Sequence, residues 1–273
     1  MSAVTDYLEM DLLSFSTDVV REAGALLMHY FRRDIDIRLK GRINLVTEAD
    51  LAAEKLIAAR IRARFPKHGL LCEEGGGFEG QSDYRWIVDP LDGTTNFAHG
   101  YPCFCVSMGL ERRGELLLGT VFNPVSNELF HALRGEGAFL NGRKIAVSRA
   151  ETLECSLLST GFPYDIRSSQ NNNIDNFSLL AVHARAIRRD GAAALDLCYV
   201  GAGWFDGYWE LHLSPWDTAA GVLIVEEAGG RVTDISGGPY SHYNREIIAS
   251  NGLVHDEMVR MLNSRRLAAD STS

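Results

Sequence analysis

The chain has 273 residues, 46% of them hydrophobic, so it can bury a substantial core as one large domain or as two closely packed halves. Its 27 basic and 36 acidic side chains give a formal net charge of −9, which argues against nucleic-acid binding by charge. No apolar run approaches the roughly 20 residues that span a bilayer, and the N-terminus lacks the pattern of a signal peptide, so we expect a cytoplasmic protein without a membrane partner.

The first predicted elements are two helices. Apolar residues recur at helical spacing from about Thr5 to Arg33, which predicts a long amphipathic helix. A second helix is predicted over Thr47–Arg64, with Thr47 as its N-cap and Asp50 completing a capping box. Read alone, Asp50 needs no role beyond that cap.

Two carboxylates then lie three residues apart, where a predicted strand gives way to a Gly-Thr turn. The strand is predicted at Arg85–Val88 and should stop at Asp89, because Pro90 cannot donate a hydrogen bond to a sheet ladder. Free amides of the turn at 93–94 would point at an anion, and Asp89 and Asp92 would hold cations beside it. The spacing alone fits both such a site and an ordinary solvated turn.

Other acidic residues also stand at the ends of predicted elements. Glu73 and Glu74 follow a short strand at Leu70–Cys72, and Asp217 falls in the first turn of a helix predicted over Pro215–Glu227. Each also has an interpretation without a binding role: Glu73 and Glu74 as a solvated pair, and Asp217 as a helix cap. Gathered in one place, such carboxylates would be costly without cations. An all-oxygen donor set favours Mg²⁺, Mn²⁺ or Ca²⁺, and a phosphate substrate favours Mg²⁺.

The remaining pattern mixes strands and helices. Three antiparallel strands are predicted between residues 104 and 133, and the second half begins with a strand near residue 155. It continues with helices at 174–184 and 192–201 and a strand at 205–211. The class is therefore mixed α and β with layered sheets and helices, divided softly into halves 1–150 and 151–273. The five cysteines are odd in number and irregularly spaced, which favours reduced buried thiols.

Four segments carry a family resemblance. Trp86–Phe97, Glu73–Glu74, Asn44–Asp50 and Pro215–Gly221 together resemble the inositol monophosphatase family, and the resemblance runs in order from about residue 10 to 262. It implies a layered αβαβα sandwich of the sugar phosphatase type, in the superfamily that includes fructose-1,6-bisphosphatase. It also implies a lithium-sensitive phosphomonoesterase that uses two to three Mg²⁺ per active site and forms a homodimer.

The resemblance assigns roles to individual residues. The metal ligands that it implies are Glu73, Asp89, Asp92, Asp217 and the carbonyl of Leu91. Thr94 matches the threonine that orients the attacking water, with Asp50 behind it and Glu73 beside it. The substrate contacts that it implies are Asp92, Gly93, Thr94, Gly191, Ala193 and Glu210. Chemistry supports the threonine's role independently, because a neutral hydroxyl relays a proton only when a carboxylate polarises it.

The substrate is less tightly specified than the reaction. Residues 95–97, at the end of the segment Trp86–Phe97, resemble the inositol branch of the family, so myo-inositol 1-phosphate is the leading choice. Arg188 and Arg189 stand near the implied substrate wall and would suit a second phosphate. The alternatives are therefore fructose 1,6-bisphosphate, histidinol phosphate and adenosine 3′,5′-bisphosphate. A role of another class is a regulatory binding subunit whose phosphatase site is idle.

Overall fold

Helices and strands alternate along the computed structural model, which describes residues 3–33, 37–40 and 44–270. The helices in chain order are α1 Ala3–Tyr30, α2 Glu48–Arg64, α3 Thr94–Ala98, α4 Ile174–Ala181, α5 Ala193–Gly201, α6 Pro215–Glu227 and α7 His255–Asp270. A small hairpin near the N-terminus is formed by β1 Ile37–Lys40 and β2 Asn44–Thr47.

The first large sheet takes its strands in sequence order. They are β3 Gly69–Cys72, β4 Tyr84–Asp92, β5 Cys105–Arg112, β6 Glu115–Asn123, β7 Glu128–Leu133, β8 Gly137–Leu140 and β9 Arg143–Lys144. β3 runs parallel to β4, whereas every later pair is antiparallel. Because the pair is parallel, the C-terminal ends of β3 and β4 lie at the same edge of the sheet, with Glu73 just after β3 and Asp89 and Asp92 near the end of β4.

The second sheet is mixed and crosses over. Its spatial order is β11 Ala186–Arg188, β10 Leu157–Thr160, β12 Gly207–Leu211, β14 Glu246–Ser250 and β13 Arg231–Thr233. β10 runs parallel to both β11 and β12, and β14 runs antiparallel to β12 and β13.

Five layers follow from how the helices pack. α1 and α2 cover one face of the first sheet, and α6 covers its other face. α5 and α6 together fill the space between the two sheets, while α4 and α7 pack outside the second sheet. α6 reaches the first sheet closely because a Cβ at Gly119 would lie 2.5 Å from the carbonyl oxygen of Ala220. The predicted αβαβα sandwich is confirmed.

The end of β4 departs from the prediction. The strand does not stop at Asp89 but continues through Pro90 to Asp92. The register with β5 shifts between Asp89 and Asp92, which pair with Ser107 and Cys105 respectively. The missing N–H of proline thus falls in an irregular stretch, where it interrupts no regular ladder.

The division of the chain near residue 150 stays a prediction. The two large sheets are built from separate stretches, residues 69–144 and 157–250, but α5 and α6 contact both sheets. All five cysteines are free thiols, although Cys155 is exposed rather than buried. Within the described stretches, no helix combines the length and apolar character that a bilayer crossing needs.

Candidate active site

A sharp turn joins the end of β4 to α3. Asp89 and Asp92 are both buried, and the Asp89 Oδ1 atom accepts a hydrogen bond from the Leu91 N–H at 3.0 Å. Gly93 follows with a φ of +92°, and a Cβ there would lie 2.9 Å from the carbonyl oxygen of Cys103. Glycine is required on both counts, because an L side chain would be strained and would clash.

Thr94 sits between two acceptors. Its hydroxyl oxygen lies 3.0 Å from Asp50 Oδ1 and 3.1 Å from the carbonyl oxygen of Leu91. One hydroxyl carries one proton, so it donates to only one of them at a time. The Asp50 Oδ2 atom accepts bonds from the Thr47 N–H at 2.8 Å and the Thr47 hydroxyl at 2.5 Å. The predicted capping box of α2 is therefore confirmed, and it fixes the carboxylate that faces Thr94.

A second capping box, at the start of α6, involves Asp217. The Ser214 N–H donates to Asp217 Oδ2 at 2.7 Å, at the N-terminus of α6. α6 packs against β4, and the charge of Asp217 in its first turn raises the pKa of both Asp89 and Asp92 near the end of that strand. Burial raises the pKa of Asp217 to about 6. Asp217 thus both caps α6 and belongs to the acidic cluster.

The carboxylates predicted from separate parts of the sequence affect one another electrostatically. Burial raises the pKa of Asp89 well above its usual range, and the negative charges of Glu73, Asp92 and Asp217 raise it further. Burial also raises the pKa of Asp92, and Asp217 and Glu210 add to the effect. Charges shift one another's pKa values strongly only when they are close together and poorly screened by water. The fold therefore brings five carboxylates together: Glu73, Asp89, Asp92, Glu210 and Asp217.

The second half of the chain supplies the opposite wall. The Ala194 N–H, in the first turn of α5, donates to Asp92 Oδ2 at 2.8 Å. Glu210 lies on β12, where its Oε2 atom accepts a hydrogen bond from the Tyr208 hydroxyl at 2.5 Å. Burial raises the pKa of Glu210 to about 7. This wall therefore presents a carboxyl group that changes charge near neutral pH.

A cavity of about 360 Å³ opens between the two halves, a size suited to a small ligand. Six of the predicted site residues line it: Asp92, Gly93, Gly191, Ala193, Glu210 and Asp217. The other five do not line it: Asp50, Glu73, Asp89, Leu91 and Thr94. Thr94 lies between two lining residues, Gly93 and Thr95, and Asp50 accepts a hydrogen bond from its hydroxyl.

Several residues that line the cavity were not predicted from the sequence. Tyr164 and Arg245 come from loops that carry no motif, so no spacing marks them. Asn96 also lines the cavity, and its amide donates to the carbonyl oxygens of Cys103 and Asp190, both at 2.7 Å. Asn96 thereby ties α3 to the substrate wall. The available signal for Asn96 was its place in the segment Trp86–Phe97, which carries the family resemblance.

A hard divalent cation fits the chemistry of these donors. Asp89 and Asp92 are buried oxygen donors whose charges repel one another and those of their neighbours, which a cation would relieve. Across the described residues, no three histidine, cysteine, aspartate or glutamate side chains already form a coordination cage. The mutual repulsion of buried carboxylates, rather than a set of ligand distances, is thus the feature that fits a metal.

Known proteins resemble this chain over nearly its whole length. The model of the inositol monophosphatase family matches residues 9–267. The protein named Nus factor SuhB from Pseudomonas aeruginosa is 45% identical over 88% of this chain and 91% of its own length. A Thermotoga maritima protein named fructose-1,6-bisphosphatase/inositol-1-monophosphatase is 42% identical over 93% of this chain and 96% of its own.

A solved structure shows the same architecture. The inositol monophosphatase from Anabaena superposes with a TM-score of 0.86 at 42% identity, covering 93% of this chain and 96% of the other. The sequence match, the five layers and the acidic site agree with one another. The chain belongs to the inositol monophosphatase family.

Proposed function

We propose that the protein hydrolyses the phosphate monoester of a small cyclitol or sugar, most directly myo-inositol 1-phosphate, to the free alcohol and inorganic phosphate. The observation that carries the proposal is the group of buried, mutually repelling carboxylates beside Thr94, at one end of a small cavity. Family membership and the names of the relatives support a phosphatase acting on a small phosphorylated compound.

The proposal includes two to three Mg²⁺ ions held by Glu73, Asp89, Asp92, Asp217 and the Leu91 carbonyl. When bound, Mg²⁺ lowers the pKa of water and neutralises charge on the phosphate and the departing oxygen. Phosphate ester hydrolysis is extremely slow in water, so both effects are needed. The chain's own contribution is to hold these oxygens in a buried place where proton and cation compete for them.

Thr94 and Asp50 act on the water in this proposal. The Thr94 hydroxyl donates a hydrogen bond to Asp50, which leaves a lone pair on its oxygen to accept a hydrogen bond from the water. The water oxygen then bonds to phosphorus as the ester P–O bond breaks. Of the two protons of that water, one stays on the phosphate and the other is passed to the departing alkoxide. Glu73, in the loop that follows β3, assists in orienting that water.

The substrate wall would recognise the alcohol. We assign contacts to substrate hydroxyls to Glu210, Asp92, Gly191 and Ala193, and contacts to the phosphate to the amides of Gly93 and Thr94. When ionised, Glu210 can only accept hydrogen bonds from substrate hydroxyls, whereas its protonated form also donates one, and its pKa of about 7 places that change near neutrality. A cyclitol rich in hydroxyls suits such a wall.

A second substrate class is favoured by two arginines. Arg189 and Arg245 both line the cavity and would pair with a second phosphate, as in fructose 1,6-bisphosphate. The bifunctional name of the Thermotoga relative points the same way. Histidinol phosphate and adenosine 3′,5′-bisphosphate are further alternatives on this scaffold.

Phosphate release from these four esters, with Mg²⁺ and with EDTA, tests the proposal. We expect Mg²⁺-dependent release that is fastest with inositol 1-phosphate and is inhibited by Li⁺. Faster turnover of the bisphosphates would favour the second class. No turnover of any ester, together with tight binding of a macromolecule, would instead support the alternative of a regulatory binding subunit. The name of one relative, Nus factor SuhB, is a reason to test that alternative.

A homodimer in the cytoplasm completes the proposal. Sedimentation of the purified protein tests the dimer, and fractionation of cells that express the full chain tests the location.

A further inference from the structure

Glu54 is a buried acid on α2 that the proposed reaction does not use. Its side chain belongs to a residue only 5% exposed, and it lies four positions after Asp50. Residues four apart share one face of a helix, so α2 turns both carboxylates toward the same side. Buried carboxylates need partners, and those of Asp50 are Thr47 and Thr94.

Glu54 accepts hydrogen bonds from two backbone amides of the loop after β3, and the Cys72 thiol is a further partner. Its Oε2 atom accepts the Glu74 N–H at 2.8 Å, and its Oε1 atom accepts the Gly76 N–H at 2.7 Å. A Cβ at Gly76 would clash with that same Oε1 atom, so the loop backbone approaches as closely as glycine permits. Both oxygens of one carboxylate are thus committed to the loop that begins with Glu73.

The far end of this loop is also fastened. Leu70 and Phe78 exchange two backbone hydrogen bonds, at 2.9 and 2.8 Å, which close the base of the loop. The Arg62 guanidinium, again from α2, lies 4.3 Å from the centroid of the Phe78 ring. Glu73 therefore lies on a short loop that is closed on itself and held to α2 at two points.

We propose that Glu54 is a positioning residue that fixes the place of Glu73 relative to Asp89. The inference rests on the proposed function, in which Glu73 is a metal ligand. One helix then sets two parts of the site: Asp50 holds Thr94, and Glu54 holds the Glu73 loop. A carboxylate suits this task because it accepts two amide protons at once, whereas an amide side chain would turn its own donors toward one of them.

The test compares Glu54→Gln with Glu48→Gln, an exposed glutamate on the same helix. Hydrogen exchange reports on the Glu74 and Gly76 amides, and calorimetry reports on Mg²⁺ binding without substrate. In Glu54→Gln we expect about tenfold faster exchange of these amides, as for the loss of one ordinary hydrogen bond. We also expect Mg²⁺ affinity to fall about tenfold, with kcat at saturating Mg²⁺ close to wild type.

Gly76→Ala perturbs the same contact from the loop side and serves if Glu54→Gln does not fold. It should show the same two changes. Wild-type Mg²⁺ affinity in both variants overturns the proposal, even if the amides exchange faster, because Glu54 would then be merely structural. If the wild-type protein itself neither binds Mg²⁺ nor hydrolyses esters, the proposed function fails, and unchanged amide exchange separately refutes the Glu54 contact.

Discussion

Each ionised carboxylate in this site lowers the stability of the folded protein when no cation is present. The pKa of Asp89 and of Asp92 is raised by burial and by neighbouring charges, which means that ionising either one costs free energy in the folded protein. In the proposed function, a bound divalent cation offsets this cost, because its charge attracts the carboxylates that repel one another. Function and stability thus oppose each other at these residues.

Asp92→Asn separates the two effects. We expect turnover to be abolished, because one of the oxygens assigned to the metal is lost. In EDTA the variant should melt at or above the wild-type temperature, since one repelling charge is gone while the shape of the side chain is kept. Thermal denaturation and phosphate release measure the two outcomes. Near wild-type activity would refute the metal assignment.

Thr94 offers a second test at the residue scale. Thr94→Val keeps the shape but removes the hydroxyl that faces Asp50, and we expect kcat to fall about 100-fold or more. Thr94→Ser keeps the hydroxyl and should retain most activity. Steady-state kinetics at saturating Mg²⁺ give the comparison. Equal activity of the two variants would show that the hydroxyl does not orient the water.

Helix α6 shows how an element in the core sets a residue in the site. Its first turn carries Asp217, and its body lies against β5 and β6. The approach is close at two paired glycines, Gly109 and Gly119, which face Ala219 and Ala220. Any side chain added there pushes the helix outward, and Asp217 moves with it.

Gly119→Ala should therefore destabilise the protein and weaken its activity together. The added methyl meets the Ala220 carbonyl at 2.5 Å, and overpacking of this kind costs about 2 kcal/mol. Gly135→Ala is the control, since a Cβ there meets nothing within 4 Å and only the backbone, at φ +86°, is strained. Urea denaturation and phosphate release should show losses of both kinds in the first variant. A loss of stability without any loss of activity would contradict the link to Asp217.

Sequence patterns predicted the elements whose signals are local. The two capping boxes of α2 and α6 are short motifs with their own hydrogen bonds, so Asp50 and Asp217 could be placed at helix starts. Pro90 misled the prediction of β4, because only tertiary pairing shows that a strand can pass through an irregularity. The resemblance supplied what local patterns lacked, the grouping of distant acids.

Other features had no local signal at all. Asn173 reads as part of a polar loop, yet it is buried, with its amide donating to Thr160 at 2.9 Å and its carbonyl accepting the Trp209 indole N–H at 2.9 Å. Glu54 reads as one more acid on an amphipathic helix. Both depend on partners far along the chain, which a pattern within one segment cannot reveal.

At the scale of the whole molecule, a buried histidine makes the stability of the fold depend on pH. His255 begins α7 and lies 2.9 Å from the hydroxyl oxygens of both Thr233 and Ser250, which joins the helix to β13 and β14. Burial lowers the pKa of His255 from 6.5 to about 4, and the charge of Arg231 adds to the effect. Unfolding releases it to take up a proton, so acid favours the unfolded chain.

Stability should therefore fall as the pH falls from about 6.5 to about 4, and His255 should contribute no further loss below that range. The full contribution is about 3 kcal/mol. Urea denaturation of the wild type and of His255→Gln at a series of pH values measures it. The variant should lose less stability over this interval; a parallel loss in both proteins would assign the acid sensitivity to other groups.

The shared middle layer also has a consequence for the order of folding. Asp89 and Asp217 are far apart in sequence, and they meet only after α6 has packed between both sheets. Contacts of such long range form late, because the intervening chain must first be closed into a loop. During refolding, secondary structure should therefore appear before the Mg²⁺ binding that we propose for the site. A cation would then act as a reporter of the last step of assembly, distinguishing finished molecules from compact ones that are still incomplete.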